Sequence, residues 1–156
     1  MPVRILVMRH AEKPRDPLDP HLSDAGRARA DHLADYIPTV FGPPEFLFAT
    51  ALSNHSARPV ETITPLSQRI GVQIDATFAD QDYSALADEI LLQSSFIGKL
   101  LLVCWHHGNI PSFMLALGAK SGDFPDPWDP QVFNLILQLD YVGLSVPNIV
   151  EVIEPF

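Results

Sequence analysis

The sequence has few of the features that define several common classes of protein. It contains a single cysteine, Cys104, so no disulfide bond can form within the chain. No apolar run approaches the length of about 18 residues that a membrane-spanning helix needs. Lys and Arg number 10 against 19 Asp and Glu, which gives a net charge of -9. Nucleic acid and anionic membrane surfaces require a broad positive field, so we expect neither as a partner.

The start of the chain also lacks the signals of an exported protein. Met1 is followed within two residues by an apolar strand, without the charged stretch, long apolar region and small-residue cleavage site of a signal peptide. We therefore expect a cytoplasmic protein. Its 156 residues, 47% of them hydrophobic, suit one domain over residues 1–156 with a core of its own. Cys104 lies in an apolar run, where a buried and inert thiol is expected.

Apolar runs alternate with helical patterns along the chain, which is typical of an α/β fold. The fourth strand is the most apolar and is expected at the centre of the sheet. Ser23 or Asp24 is expected to cap the first helix, and Pro65 to kink or split the second. The predicted strands cover about 3–9, 45–50, 72–78, 99–105, 132–139 and 148–153, and the predicted helices about 24–37, 56–70, 83–96 and 111–117.

Charged or titratable side chains follow each of the first four predicted strands. Arg9 and His10 follow the first strand and Arg58 the second, at the start of a helix near Ser56; His107 follows the fourth. Open α/β sheets bind ligands at the carboxyl ends of their strands. Four such placements at one edge favour a functional site over coincidence. Two acidic residues follow the third strand, Asp80 and Asp82.

These residue types suit the chemistry of a phosphate group. Two arginines can bind a dianion through charge-assisted hydrogen bonds. The positive charge around His10 favours its neutral form, and a neutral imidazole can attack phosphorus. His107 could donate hydrogen bonds to the phosphoryl oxygens as charge develops on them. The leaving oxygen needs a proton, for which Glu12, Asp80 and Asp82 are the candidates.

Four segments of the chain resemble the histidine phosphatase superfamily, the phosphoglycerate mutase-like proteins. The resemblance holds in order and spacing from residue 3 to about 118, or roughly three quarters of the chain. Each segment alone is a modest signal, whereas four in sequence are specific. They are MRHAEK (8–13), LSDAGR (22–27), SARPVET (56–62) and WHHGNI (105–110).

The resemblance implies a fold, a mechanism and a set of roles. The fold is a three-layer α/β sandwich whose mostly parallel central sheet is flanked by helices. His10 becomes the nucleophile that carries a phosphohistidine, and Arg9, Arg58 and His107 complete the phosphate pocket. The family's acid commonly follows the third strand, which makes Asp80 the first choice and Asp82 the second. Lys13, three residues past the nucleophile, is a candidate for a second charge on the substrate.

The chain departs from the family pattern in three places. Ala11 replaces the usual glycine after the nucleophile, which the backbone can bear if its φ angle stays negative. His106 stands where many members have serine or threonine; it either alters the pocket or has a harmless role, pointing outward or packed, and we favour the harmless role. The large insertion that caps the site in mutases is absent. This favours plain hydrolysis of a small phosphorylated substrate or a phosphoprotein.

We therefore expect a phosphatase that hydrolyses phosphate monoesters through a phosphohistidine on His10, with no metal and no other cofactor. Asp80 acts first as an acid and then as a base. One alternative is a mutase or phosphotransferase. Another is a catalytically weak member that binds phosphorylated ligands or a partner protein. The sequence makes no prediction of oligomeric state.

Overall fold

The computed structural model describes residues 1–143 and 146–156, which form one six-stranded sheet with helices on both faces. The strand order is β3-β2-β4-β1-β5-β6; the first three pairings are parallel and the last two antiparallel. The strands are β1 (Arg4–Arg9), β2 (Phe46–Ala49), β3 (Ile74–Asp75), β4 (Leu100–Trp105), β5 (Leu135–Asp140) and β6 (Asn148–Ile153). The helices are α1 (Asp24–Phe41), α2 (Arg58–Ile70), α3 (Tyr83–Leu92) and α4 (Ile110–Ala116), with short 3-10 turns at Asp80–Asp82 and Ser94–Phe96.

Alternation along β1 produces the three layers. Leu6 and Met8 join a core cluster with residues of α1 and α2, whereas Ile5 and Val7 join a second cluster with residues of α3 and α4. Side chains of a strand point to opposite faces in turn, so each face of the sheet requires its own helical cover. The predicted α/β sandwich with a mostly parallel sheet and a central fourth strand is therefore confirmed. No helix of the described residues is long and apolar enough to cross a membrane.

Some element boundaries differ from the sequence predictions. The third strand is only Ile74–Asp75 and lies at the sheet edge, where it pairs with β2 alone. The helix α2 begins at Arg58, two residues later than expected, and Pro65 does not split it. Ile63 and Leu66 are fully buried on either side of that proline. Their packing holds the helix on the sheet despite the missing backbone donor.

The start of α1 is attached to the segment that follows β1. Ser23 caps the helix by accepting a hydrogen bond from the Gly26 N–H, and its own N–H and hydroxyl both donate to the Glu12 carbonyl. Gly26 lies against the same peptide, so that a Cβ built there would be 2.3 Å from the Glu12 oxygen. This glycine thus allows α1 to approach the chain two residues past His10.

We predict that Gly26→Ala destabilises the protein by about 1–3 kcal/mol, because the new methyl group must displace a backbone carbonyl. Chemical denaturation measures the free energy of unfolding. The control is Gly108→Ala, since a Cβ at Gly108 meets no atom within 4 Å. Equal stabilities of the two variants would contradict this account of the α1 contact.

Candidate active site

Parallel pairing of β1 with β4 brings two histidine-bearing segments together. Arg9 is paired with Trp105, and the His10 N–H donates to the Trp105 carbonyl at 3.1 Å. The residues directly after both strands therefore emerge side by side at the carboxyl edge of the sheet. This edge is where open α/β sheets hold ligands.

A cavity of about 640 Å³ opens at this edge. The six residues that the sequence analysis assigned to the site all line it, so the structure brings them together. Segments that follow β1, β2, β3 and β4 all contribute to its wall, as predicted. The six are Arg9, His10, Lys13, Arg58, Asp80 and His107.

The His10 ring is oriented by a hydrogen bond to its own chain. Its Nδ1 lies 2.7 Å from the Ala11 carbonyl oxygen. A carbonyl can only accept, so Nδ1 carries the proton and Nε2 has the free lone pair. Burial lowers the pKa of His10 to about 3, and the charges of Arg9 and Arg58 also lower it, although the bond to Ala11 acts in the opposite direction. His10 is therefore neutral at pH 7.

The peptide after His10 is fixed to α2. The Ala11 N–H donates to the Thr62 hydroxyl at 2.9 Å, and that hydroxyl donates to the Arg58 carbonyl at 2.7 Å. Ala11 is fully buried, and no described non-glycine residue has a positive φ angle. Alanine is thus accommodated next to the nucleophile without backbone strain.

The two arginines are held by backbone carbonyls at one end of each guanidinium. Arg9 Nη1 donates to the Pro130 carbonyl at 2.6 Å, and its guanidinium carbon lies 4.0 Å from the centre of the Phe133 ring. Arg58 Nη1 donates to the Asp19 carbonyl at 2.8 Å. Burial is the main cause that lowers the pKa of both, for Arg9 to about 10, so both remain charged at pH 7.

Unpartnered polar atoms converge on the cavity. Within residues 1–143 and 146–156, four buried side-chain nitrogen or oxygen atoms have no hydrogen-bond partner in the protein. All four belong to residues that line this cavity. Burying such atoms without a partner is costly, so this clustering points to a polar ligand. The atoms are Arg9 Nε, Thr50 Oγ1, Arg58 Nε and Asp80 Oδ1.

The two histidines after β4 both face the cavity. His107 is half-buried, and burial together with the charges of Arg9 and Lys13 lowers its pKa, so it is a neutral N–H donor at pH 7. His106 does not point outward, which was the favoured of the two alternatives; it lines the cavity, as the other alternative requires. Its ring lies edge-on to that of His10, with 5.3 Å between ring centroids. The tight turn after β4 turns both side chains toward this edge.

The structure separates the three candidate acids. Asp80 lines the cavity with a buried carboxylate oxygen. Asp82 is exposed and does not line it. Glu12 forms a salt bridge with Arg29 at 2.8 Å, and Arg29 in turn binds Glu154 at 3.1 Å. Of the three, only Asp80 therefore lines the cavity.

The chain was compared with known proteins by sequence and by structure. No family model and no curated protein matches the sequence. A protein of Agrobacterium tumefaciens assigned as the phosphohistidine phosphatase SixA matches the structure with a TM-score of 0.68 at 20% identity over all of both chains. The protein histidine phosphatase SixA complexed with tungstate matches with 0.69 at 11% identity, over 96% of both chains. Mycobacterial glucosyl-3-phosphoglycerate phosphatase with inorganic phosphate matches with 0.62 at 15% identity, over 98% of this chain and 97% of that one.

The chain shares the fold of these solved structures. Full coverage in both directions means that the similarity includes the sheet edge where the cavity opens. Identities of 11–20% show the shared fold alone, so the chemistry of the site has to be argued from its own residues.

Sequence reasoning missed several residues in and around this cavity. Thr50 follows β2 and presents a buried hydroxyl, and the ring of Phe133 supports Arg9. Thr62 is part of a segment that the resemblance quoted, yet its role in fixing Ala11 was not apparent. Position after a strand was a usable signal for Thr50. Nothing in the sequence signalled Phe133, because it arrives from a loop.

We predict that phosphate or tungstate raises the melting temperature, because either anion binds the folded cavity and not the unfolded chain. Arg58→Gln should weaken phosphate binding by about tenfold to a hundredfold, which matches the loss of about 1.5–3 kcal/mol for a hydrogen bond to a charged group. Titration calorimetry measures the dissociation constant. Arg69→Gln is the matched control, since Arg69 lies in the same helix but outside the cavity. Equal weakening in the two variants would argue against a phosphate site at Arg58.

We also predict that the His10 ring stays neutral, with its proton on Nδ1, throughout pH 5–8. Its pKa in the folded protein lies below the unfolded value, so the unfolded chain binds more protons as pH falls below about 6.5. His10 therefore lowers stability progressively from that pH toward 3. Nitrogen-15 NMR of the ring reports both the tautomer and the titration. A His10 resonance that titrates near pH 6.5 would contradict the assigned burial.

Proposed function

We propose that this protein is a metal-independent phosphatase that hydrolyses phosphate monoesters through a phosphohistidine on His10. The observation that carries the proposal is the free Nε2 of a neutral, buried imidazole in the same cavity as two charged arginines with unpartnered Nε atoms. A nucleophile must be deprotonated, and a dianion must be neutralised before it can be attacked. The cavity meets both requirements in one place.

The first half of the reaction transfers the phosphoryl group to the protein. Nε2 of His10 attacks phosphorus as the bond from phosphorus to the ester oxygen breaks. Arg9 and Arg58 hold the phosphoryl oxygens, and the neutral His107 donates an N–H to them as charge develops. The carboxyl group of Asp80 is the source of the proton that the leaving oxygen takes up.

The second half returns His10 to its starting state. Water attacks the phosphohistidine, the nitrogen–phosphorus bond breaks, and the Asp80 carboxylate becomes protonated again as the water loses a proton. His10 leaves as a neutral imidazole, and inorganic phosphate remains between the arginines. Chemistry of this kind needs no metal, because the two guanidinium groups supply the positive charge.

The substrate is a phosphorylated small molecule or a phosphorylated side chain of a protein. Exposed Lys13 at the cavity rim suits a second negative charge on it. One structural neighbour is described as a phosphohistidine phosphatase, another as a protein histidine phosphatase and a third as a glucosyl-3-phosphoglycerate phosphatase. A net charge of -9 provides no broad positive field, which disfavours nucleic acid. We propose that residues 1–156 act as one domain.

We predict that His10→Ala lowers the turnover of a generic phosphate monoester by more than about a thousandfold, because the nucleophile is lost. Release of inorganic phosphate at saturating substrate measures it, and the variant should still bind phosphate through Arg9 and Arg58. His32→Ala is the matched control, since His32 is exposed and stacks on Phe156 outside the cavity. Equal turnover by wild type and His10→Ala would exclude the mechanism. Faster transfer to an added alcohol than to water would instead identify a phosphotransferase.

A further inference from the structure

His106 lies in the cavity wall beside the nucleophile, yet the phosphatase mechanism above assigns it no step. Its ring centroid is 5.3 Å from that of His10, and the two ring planes are inclined by 70°, so an edge of one ring faces the other. At this distance the side chain reaches the space in which a substrate bound to His10 must lie. The chain carries an imidazole here, where the family it resembles carries a hydroxyl.

Hydrogen bonds fix the backbone of Asp80 relative to the turn that carries His106, and both residues line the cavity. The Asp80 carbonyl accepts from Trp105 Nε1 at 3.1 Å and from Asn109 Nδ2 at 3.3 Å. These two donors lie on either side of the turn that carries His106, and the Asn109 N–H donates to the His106 carbonyl at 3.2 Å. The segment with Asp80 is therefore attached to both ends of the turn with His106.

Charged groups near His106 shift its pKa in opposite directions. Asp80, whose Oδ1 is buried without a protein partner, is the charge that raises the pKa of His106, whereas burial and the charges of Arg58 and Arg9 lower it more. His106 also acts on His10, since it contributes to the lowered pKa of that ring. The imidazole is thus electrostatically linked to the acid and to the nucleophile. In its neutral form one ring nitrogen donates a proton while the other accepts one.

Resting on the proposed phosphatase function, we propose that His106 is a catalytic residue that carries the proton between the Asp80 carboxyl group and the leaving oxygen of the substrate. As the bond from phosphorus to that oxygen breaks and the bond to His10 Nε2 forms, the oxygen takes the N–H proton of His106. The other ring nitrogen of His106 takes the proton of the Asp80 carboxyl group. His106 ends neutral with its proton on the opposite nitrogen, and Asp80 ends as a carboxylate.

Hydrolysis reverses this path. Water forms a bond to phosphorus as the bond to His10 breaks, and one water proton passes to His106. The proton on the other ring nitrogen passes back to Asp80, so both residues recover their first state. Each cycle consumes one ester and one water and releases one alcohol and one phosphate.

The test compares two esters that differ in their need for a proton. Phenyl phosphate has a basic leaving oxygen, whereas 2,4-dinitrophenyl phosphate releases an anion that needs no acid. We expect His106→Gln, which keeps a donor and an acceptor but cannot exchange one proton for another, to lower kcat/KM for phenyl phosphate by about a hundredfold. For the dinitrophenyl ester the loss should stay below about threefold. Asp80→Asn should show the same pattern, and the double variant should lose no more than either single variant.

The controls distinguish a failure of this proposal from a failure of the phosphatase proposal on which it rests. His32→Gln makes the same substitution outside the cavity and should leave both esters unaffected. Equal losses on the two esters, or losses of His106→Gln and Asp80→Asn that multiply, would overturn the relay while the phosphatase stands. A wild type that turns over neither ester overturns both proposals. Thermal unfolding checks that His106→Gln is folded. If that variant does not fold, His106→Ser takes its place, since serine supplies the hydroxyl found at this position in the family that the chain resembles.

Discussion

Parallel pairing of β1 with β4 is the constraint on which the site depends. It places His10 beside the turn that carries His106 and His107, and the His10 N–H extends the pairing by one more hydrogen bond to Trp105. Four flanking helices bury both faces of these central strands, so their register cannot slip without exposing the core. The backbone positions of His10 and of the two histidines that follow β4 are therefore set by the sheet itself. Loops supply the remaining groups.

The protein carries a net charge of -9, yet two arginines make this cavity locally cationic. Arg9 and Arg58 each donate a hydrogen bond from Nη1 to a backbone carbonyl, and the buried Nε of each has no partner in the protein. Burial lowers the pKa of both arginines, because a charged guanidinium loses hydration there. The dianion that we propose as the ligand would compensate for that loss. Burial is also the main cause that keeps His10 neutral, and the charges of Arg9 and Arg58 act in the same direction.

The layered fold, the central fourth strand and six residues of the cavity could be predicted from the sequence, because apolar runs and short motifs encode them locally. Among Asp80, Asp82 and Glu12, only the family resemblance ranked Asp80 first. Their difference arises from tertiary partners, since Arg29 binds Glu12 whereas Trp105 and Asn109 hold the backbone of Asp80 in the cavity. The orientation of His106 was left open for a related reason. Strand alternation does not continue into the turn after β4, so sequence position alone could not assign it a face.

Covalent phosphorylation of His10 is the central claim, and rapid quenching tests it most directly. The protein is mixed with a phosphate monoester and quenched within milliseconds, and mass spectrometry under mild alkaline conditions locates any phosphoryl group. The account predicts one phosphoryl group per chain, on Nε2 of His10, that forms and decays at least as fast as the steady-state turnover. Steady hydrolysis without any phosphorylated protein would contradict it, and so would a phosphoryl group found on another residue.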